Sequence, residues 1–264
     1  MAGVIDIAWW QLLLFLSILL VPAWINRHFR LSMGREGAWA VMRMVAQLVL
    51  VGLYLQFLFD LDSLALNLLW LLAMVLIGAS SVVSKTHLPR SLALMPVILG
   101  LGLALVPVLF VMVLGLVRPE PFYNAQYLIP MAGMLLGNSL SGNIMALQRF
   151  VTALGERQGE YQGALVLGAT PAQAVQPFLQ SALSQSMAPL LATISTTGLV
   201  SLPGMMTGQI LGGTDPMVAI KYQIVIMVAI LVMVSVSAAV SLLLASRRLL
   251  CSNGRVRIPL NAPQ

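Results

Sequence analysis

The chain has 264 residues, of which 59% are hydrophobic and only 8% charged, and its mean hydropathy is +0.95. Soluble domains carry roughly a quarter charged residues, so this composition excludes a soluble globular domain and defines an integral membrane protein. The formal charge of +6 does not point to nucleic acid, because the basic residues lie in short loops and at span ends, where they set orientation in a bilayer.

Apolar runs of about 18 or more residues recur, each long enough for a helix to cross roughly 30 Å of hydrocarbon. Barrel strands would alternate polar and apolar residues, so the spans are helices. A single cysteine, Cys251, leaves no partner for an intrachain disulfide and no cysteine metal cluster. The first apolar run follows Met1 to Asp6, without a positive n-region or an A-x-A-like cleavage site, and is expected to remain as the first span.

Spans are predicted at 8–25, 38–59, 64–83, 92–117, 125–148, 187–210 and 217–245. The loops test this order independently. Arg27, Arg30, Arg35, Lys85, Arg90, Arg149, Arg157, Arg247, Arg248, Arg255 and Arg257, eleven of the 14 basic residues, fall on one side. Asp6, Asp60, Asp62, Arg118, Glu120 and Asp215 fall on the other, with Lys221 just inside the last span. The positive-inside bias then gives an all-α polytopic protein of seven spans, N-terminus periplasmic and C-terminus cytoplasmic. No soluble domain fits in the loops, so residues 1–264 form one transmembrane domain with a cytoplasmic tail at 246–264.

In the second span Arg43 and Gln47 share a face with Tyr54. Arg43 lies about five residues, or roughly 8 Å, from the cytoplasmic end. Snorkelling to the interface is its first reading and a pathway role its second. In the fifth span Met134, Asn138, Ser141, Met145 and Gln148 draw one stripe at alternating spacings of four and three, beside a Gly133–Gly137 contact pair. Amides facing lipid are costly, so the stripe should face helices or a pathway.

The cytoplasmic interruption, about 150–175, is the most structured polar stretch. Thr152 to Leu167 reads as an amphipathic helix, with Leu154, Tyr161 and Leu165 on one side and Glu156, Arg157 and Glu160 on the other. Gly168 suits the left-handed position that closes a helix. Thr170-Pro171-Ala172-Gln173 has the form of a capping box that opens the next one. The expected result is a helix–turn–helix finger with small residues, Gly163, Ala164, Gly168 and Ala169, exposed at its tip. The rival reading is a surface helix that merely connects two spans.

The segment 187–212 is expected to be broken. Pro203 lacks a donor and disfavours helix at Leu202, and Gly204, Gly208 and Gly212 recur every four residues in "SLPGMMTGQILGG". With Met205 and Gln209 this piece reads either as a gate or as a re-entrant turn that packs on a neighbour. Met205 and Met206 offer soft sulfur, but methionine is ordinary apolar filling as well.

"QGALVLGAT" resembles the EAA loop of ABC-transporter membrane subunits, a pattern of Glu-Ala-Ala, three residues and Gly. Gln162, Gly163 and Ala164 stand where Glu-Ala-Ala would be, and Gly168 matches the glycine. The glutamate is missing, with Glu160 two residues earlier. The wider "GEYQGALVLGATPAQAVQPFLQSALSQSM", followed by "SLPGMMTGQILGG", resembles the FetB-type family of iron-export permeases, which pair with a separate ATP-binding subunit. Plant relatives of that family are linked to aluminium tolerance and nucleotide-sugar movement.

The resemblance implies a coupling segment, Glu156, Arg157, Glu160, Gly163, Ala164, Gly168, Ala169 and Thr170, that docks in a cleft of a FetA-like ATPase in the bacterial inner membrane. It implies a homodimer of permeases with two ATPase subunits, and ATP and Mg bound by the partner rather than by this chain. Consistent with that, the chain carries no G-x-x-x-x-G-K-[ST] phosphate loop.

Iron rests on the resemblance alone, since Fe²⁺ prefers imidazole and carboxylate and the predicted spans contain neither. An anionic or nucleotide-sugar-type cargo fits the amides and lone arginine at least as well. Two readings of other classes compete. A passive channel would not need the finger. An intramembrane protease built on "NSLSGN" would need a base near its serine, but His28 and His87 both fall in cytoplasmic loops.

Overall fold

Three side chains placed just ahead of apolar runs fix where the long helices begin. The Asn124 carboxamide oxygen accepts from the Gln126 amide at 2.9 Å, and the Asp215 carboxylate from the Met217 amide at 2.8 Å. Thr170 and Gln173 form the reciprocal capping box that their spacing predicts. Each cap satisfies amides that the first helical turn leaves without a partner.

The computed structural model describes residues 7–31, 34–61, 63–86 and 88–250, with the backbone alone at Asp60. Asp6, Asp62, His87, Cys251, Arg255, Arg257, the Asp60 side chain and the tail beyond residue 250 lie outside the described residues. Helices α1 (Trp9–Leu16) and α2 (Leu20–His28) are joined by a 3₁₀ turn, Ser17–Leu19. Then come α3 (Gly34–Leu61), α4 (Leu64–Thr86) and α5 (Arg90–Phe110), the last extended by a π-helical stretch, Val111–Val117. The rest is α6 (Ala125–Glu156), α7 (Gln158–Val166), α8 (Pro171–Thr196), α9 (Gly204–Leu211) and α10 (Pro216–Leu249).

The protein is therefore all-α. Among the described residues, five helical stretches are long and apolar enough to cross a membrane: Trp9–His28, Gly34–Phe59, Leu64–Thr86, Arg90–Val117 and Pro216–Leu249. α6 and α8, of 32 and 26 residues, have the length, but prolines, amides and hydroxyls dilute their apolar content.

Two expected boundaries move. The finger helix starts at Gln158 rather than Thr152, because α6 runs on unbroken to Glu156 and a single non-helical residue, Arg157 (φ −113°, ψ 34°), separates it from α7. The sixth span does not begin near 187. α8 runs from the finger itself to Thr196, with Pro177 and Pro189 inside it, and the break falls at 197–203. The helix continues through both prolines, with Phe178 and Ala182, which lie between them, buried in the core.

α10 is the hub, packed on α5, α6, α8 and α9, while α4 closes the bundle against α5 and α6. Val97, Leu101, Leu135, Leu147, Phe150, Met233 and Leu242 fill the centre. α1 and α2 bury no residue, and α3 joins only near its end, where Leu58 meets Ala125 and Ile129 and the Tyr54 and Trp70 rings meet at a tilt with centroids 4.6 Å apart.

The tightest crossing sits at Gly100 of α5. A Cβ there would lie 2.2 Å from the Ser241 hydroxyl oxygen and 2.7 Å from the Ser237 carbonyl oxygen. On α6, a Cβ at Gly142 would lie 2.7 Å from a Val234 methyl. Next to it the Asn143 carboxamide donates to the Ser237 hydroxyl at 2.8 Å. The glycine pair expected to make a contact does so only in part: Gly133 lies near Met74, while Gly137 faces open space.

Gly100→Ala is expected to push α5 off α10 and lower the melting temperature of the purified chain in detergent, with a cost of about 1–3 kcal/mol. Gly102→Ala, two residues away with nothing within 4 Å of an added Cβ, is expected to leave it unchanged or slightly higher. Equal melting of the two variants would contradict the close crossing.

Candidate functional site: the finger between α6 and α8

The finger is held to the bundle by aromatic packing. Tyr161 of α7 and Phe178 of α8, each 2% exposed, meet edge to face with ring centroids 6.5 Å apart. Arg157, at the α6–α7 junction, lies over the Phe178 ring with its guanidinium carbon 5.0 Å from the ring centre. Its Nε donates to Glu160 Oε1 at 2.9 Å, and a second guanidinium nitrogen donates to Oε2.

The hydrogen bond from Arg157 holds the Glu160 carboxyl below its ordinary range, partly opposed by desolvation and aided by attraction to the same guanidinium. The pair is therefore complete at and above the ordinary carboxylate pKa and is lost only as pH falls through the lowered value. Both side chains are solvated, so the pair orients Arg157 more than it stabilises the fold. Burial pushes the Tyr161 phenol up, so it stays neutral at physiological pH.

The tip closes in two moves. The Gly168 amide donates to the Leu165 carbonyl and the Ala169 amide to the Ala164 carbonyl, both at 3.0 Å. This double bond pattern needs a left-handed residue, and Gly168 supplies it at φ +95°. Thr170 then starts α8 at once. Glu156, Arg157, Glu160, Gly163, Gly168 and Thr170 are exposed. Ala164 and Ala169, expected at the exposed tip, are instead half-buried against the core, because they sit at the two inward positions of the helix-closing turn.

What the tip presents was not in the expectation. Val166 is 88% exposed and Leu167 89%, two adjacent apolar side chains on a turn between helices. The signal in the sequence is "ALVLGAT", where an apolar pair precedes the helix-closing glycine, next to the inward-facing Leu165.

The residues expected along a pathway are only partly brought together. On α6, Asn138 and Ser141 are exposed and Met134 and Met145 half-buried, so the stripe faces out of this chain. The Asn138 amide donates back to the Met134 carbonyl at 2.8 Å, and Gln148 donates to the Lys85 carbonyl at 2.8 Å. That second bond puts Lys85 at the same end of the bundle as Arg149 and the finger. Arg43 and Gln47 are exposed on α3, whose packing on α6 lies at its other end, so they stand apart from the stripe.

On α9, Pro203 occupies the cap position, just before the first helical residue, and its carbonyl accepts from the Thr207 amide at 3.1 Å. An added Cβ at Gly204 or Gly208 meets nothing within 4 Å, and one at Gly212 meets only its own helix, so the glycine face is open. Met205 packs on the core and the Gln209 carboxamide oxygen is buried without a partner. No group of three or more His, Cys, Asp or Glu positioned to hold a metal ion occurs among the described residues.

An all-α bundle with several apolar spans and a helical finger at one end is a polytopic membrane protein of a defined kind. The chain belongs to the uncharacterised protein family UPF0014, whose model matches residues 9–250. A UPF0014 membrane protein of Synechocystis sp. is 37% identical over 84% of this chain and 84% of its own. YjkA, a UPF0014 membrane protein of Bacillus subtilis, is 32% identical over 82% of this chain and 85% of its own. The protein named "Probable iron export permease protein FetB" of Escherichia coli is 33% identical over 82% of each chain. No solved structure gives a significant match.

Tyr161→Ala is expected to free α7, at a cost in the range of about 3–5 kcal/mol for aromatic-to-alanine changes in a core. Limited proteolysis should then cut between 155 and 170, where the parent resists. Glu160→Gln should leave cleavage near the parent level, and the parent's resistance should hold as pH is lowered to about 4.3, the ordinary carboxylate value.

Proposed function

We propose that this chain is the membrane-spanning permease subunit of an ABC transporter, driven by a separate cytoplasmic ATP-binding subunit that grips the α7–α8 finger. The observation that carries the reading is the rigid turn from Gln158 to Thr170, which holds Val166 and Leu167 out of the bundle on a helix-closing motif. Leu199 and Val200 are as exposed on the turn after α8, but Val166 and Leu167 stand at the end of the bundle that carries Lys85, Arg149 and Arg157, where a partner's cleft rather than hydrocarbon would bury them. In this reading the coupling residues are Glu156, Arg157, Glu160, Gly163, Gly168 and Thr170 with Ala164 and Ala169 beneath them, and ATP and Mg are bound by the partner.

The topology that fits is seven spans in the bacterial inner membrane, N-terminus periplasmic and finger cytoplasmic, with α6 and α8–α9 as the fifth and sixth. Two permeases assemble with two ATPases. ATP closes the ATPase pair, displaces the finger and tilts α6 and α8, so that two states of similar free energy exchange their population. The cargo reading supported by the relative named for iron export is outward movement of iron. The absence of a metal-ligating cluster among the described residues favours a second cargo reading, an anionic or nucleotide-sugar-type substrate.

Coexpression with the cognate ATP-binding subunit tests the reading. The double change Val166→Asp and Leu167→Asp is expected to reduce copurified ATPase at least about tenfold, the effect of losing ~1.4 kcal/mol of binding, with membrane insertion unchanged. Gly168→Val is expected to uncouple hydrolysis from transport in proteoliposomes, because valine is strained at φ +95°. Full ATPase capture by the double variant would overturn the docking role. Iron, other metal ions and nucleotide sugars offered on each side of the same vesicles distinguish the cargoes.

A further inference from the structure

The helices of this bundle wear two different outer surfaces. α5 turns Met95, Leu99, Leu103, Val106 and Phe110 outward, and α10 turns out Ile224, Val228, Val232 and Val236, as lipid-facing helices should. α6 and α8 do not. Over their whole lengths they expose one large apolar side chain each, Tyr127 and Leu191. Their outward positions hold Gly137, Asn138 and Ser141 on α6, and Gln180, Ser184 and Gln185 on α8.

Lipid cannot cover such a surface cheaply, because amides and hydroxyls in hydrocarbon lose their water partners, and the bonds Asn138 and Gln185 make within their own helices use only part of each carboxamide's capacity. We propose that the outward faces of α6 and α8 close against the same faces of a second copy of this chain, forming a polar seam at the centre of the assembly. The inference rests on the permease reading above, in which both helices cross the bilayer.

Charge chooses the occupant. Neither Ala125–Gln148 nor Pro171–Thr196 contains an Asp, Glu, Lys or Arg, so two identical faces meet without like-charge repulsion. Carboxamides and hydroxyls both donate and accept, which makes the face complementary to itself across a two-fold axis. Small exposed residues, Gly137, Ala188 and Ala192, leave room for the two backbones to approach. A partner of different sequence would have no reason to require an uncharged face, and a lipid would require an apolar one. α6 and α8 are also the two helices that continue into the finger, so movement of the finger acts on the seam directly.

Cysteine cross-linking tests this in native membranes, with the full chain coexpressed with its ATP-binding subunit and Cys251→Ser as background. Single changes Asn138→Cys, Ser141→Cys and Ser184→Cys are placed on the seam, with Leu103→Cys and Val232→Cys on the lipid-facing helices as controls. Oxidation, or a short bifunctional maleimide, is expected to give a product of twice the 28.4 kDa chain from at least one seam variant, at least about fivefold above both controls. Equal yield from the controls, a product of another mass, or no product from any seam variant overturns the proposal. ATPase capture by the Val166→Asp, Leu167→Asp chain is read in parallel. If capture is lost there but the seam gives no dimer, the seam alone falls; if capture persists, the permease reading falls.

Discussion

The close approach of α5 and α6 to α10 is the constraint on which the bundle depends. In lipid the hydrophobic effect does not press one helix onto another, since acyl chains solvate leucine as well as a neighbouring helix does. What remains is contact between surfaces and a few interhelical hydrogen bonds. Gly100 lets the α5 backbone come up to Ser237 and Ser241, and Gly142 admits Val234. The Asn143–Ser237 bond lies at the same level, but such bonds average only about 0.6 kcal/mol in membranes, so backbone proximity and the many contacts it permits carry more of the energy. The bond instead fixes register, because sliding α6 by one turn would take the Asn143 amide away from Ser237 and leave it only the Ser139 carbonyl of its own helix.

That fixed centre gives the finger something to act through. α6 is continuous from the cap at Asn124 to Glu156, and α8 from the cap at Thr170 to Thr196, so each arm of the finger is the end of a long helix rather than a loop tied to one. Between them stand one non-helical residue at Arg157 and the short turn around Gly168. Arg157 bridges the gap by lying on Phe178 of α8 while held by Glu160 of α7, and Tyr161 completes the contact from below. A force on Val166 and Leu167 would therefore be passed to both helices together.

Where the sequence was legible, a local rule decided the outcome. The helix-closing glycine at 168 and the capping box at 170–173 depend on backbone conformations and side-chain reach within a few residues, and both are found where the spacing puts them. The all-α class followed from hydropathy in the same way. Boundaries failed where continuity across the polar stretch was at stake. Helical pattern alone cannot tell that α6 passes Thr152 without interruption, because packing of Leu154 against the core decides it. The glycines that matter for packing carry no such signal: Gly100 and Gly142 have no glycine four residues away, while an added Cβ at the repeated glycines 204, 208 and 212 meets no neighbouring helix among the described residues. Spacing reports which residues share a helix face, but the identity of the facing helix is a tertiary property.

The composition of α6 and α8 also sets a physical condition on any route that runs beside them. A bare divalent ion entering a low-dielectric passage needs compensating charge or hard anionic ligands, and these two helices offer neither between Ala125 and Gln148 or between Pro171 and Thr196. Amides and hydroxyls can replace water around a solute that brings its own hydrogen-bonding groups, and thioethers such as Met134 and Met145 add only weak, soft contacts. If these helices line the route, a metal would have to travel with its ligands attached or with an anion, whereas a solute rich in hydroxyls or phosphate would need only the surface already present. On that condition the chemistry of these two faces bears on the form of a cargo before its identity, and it does so through residues that carry no charge at all.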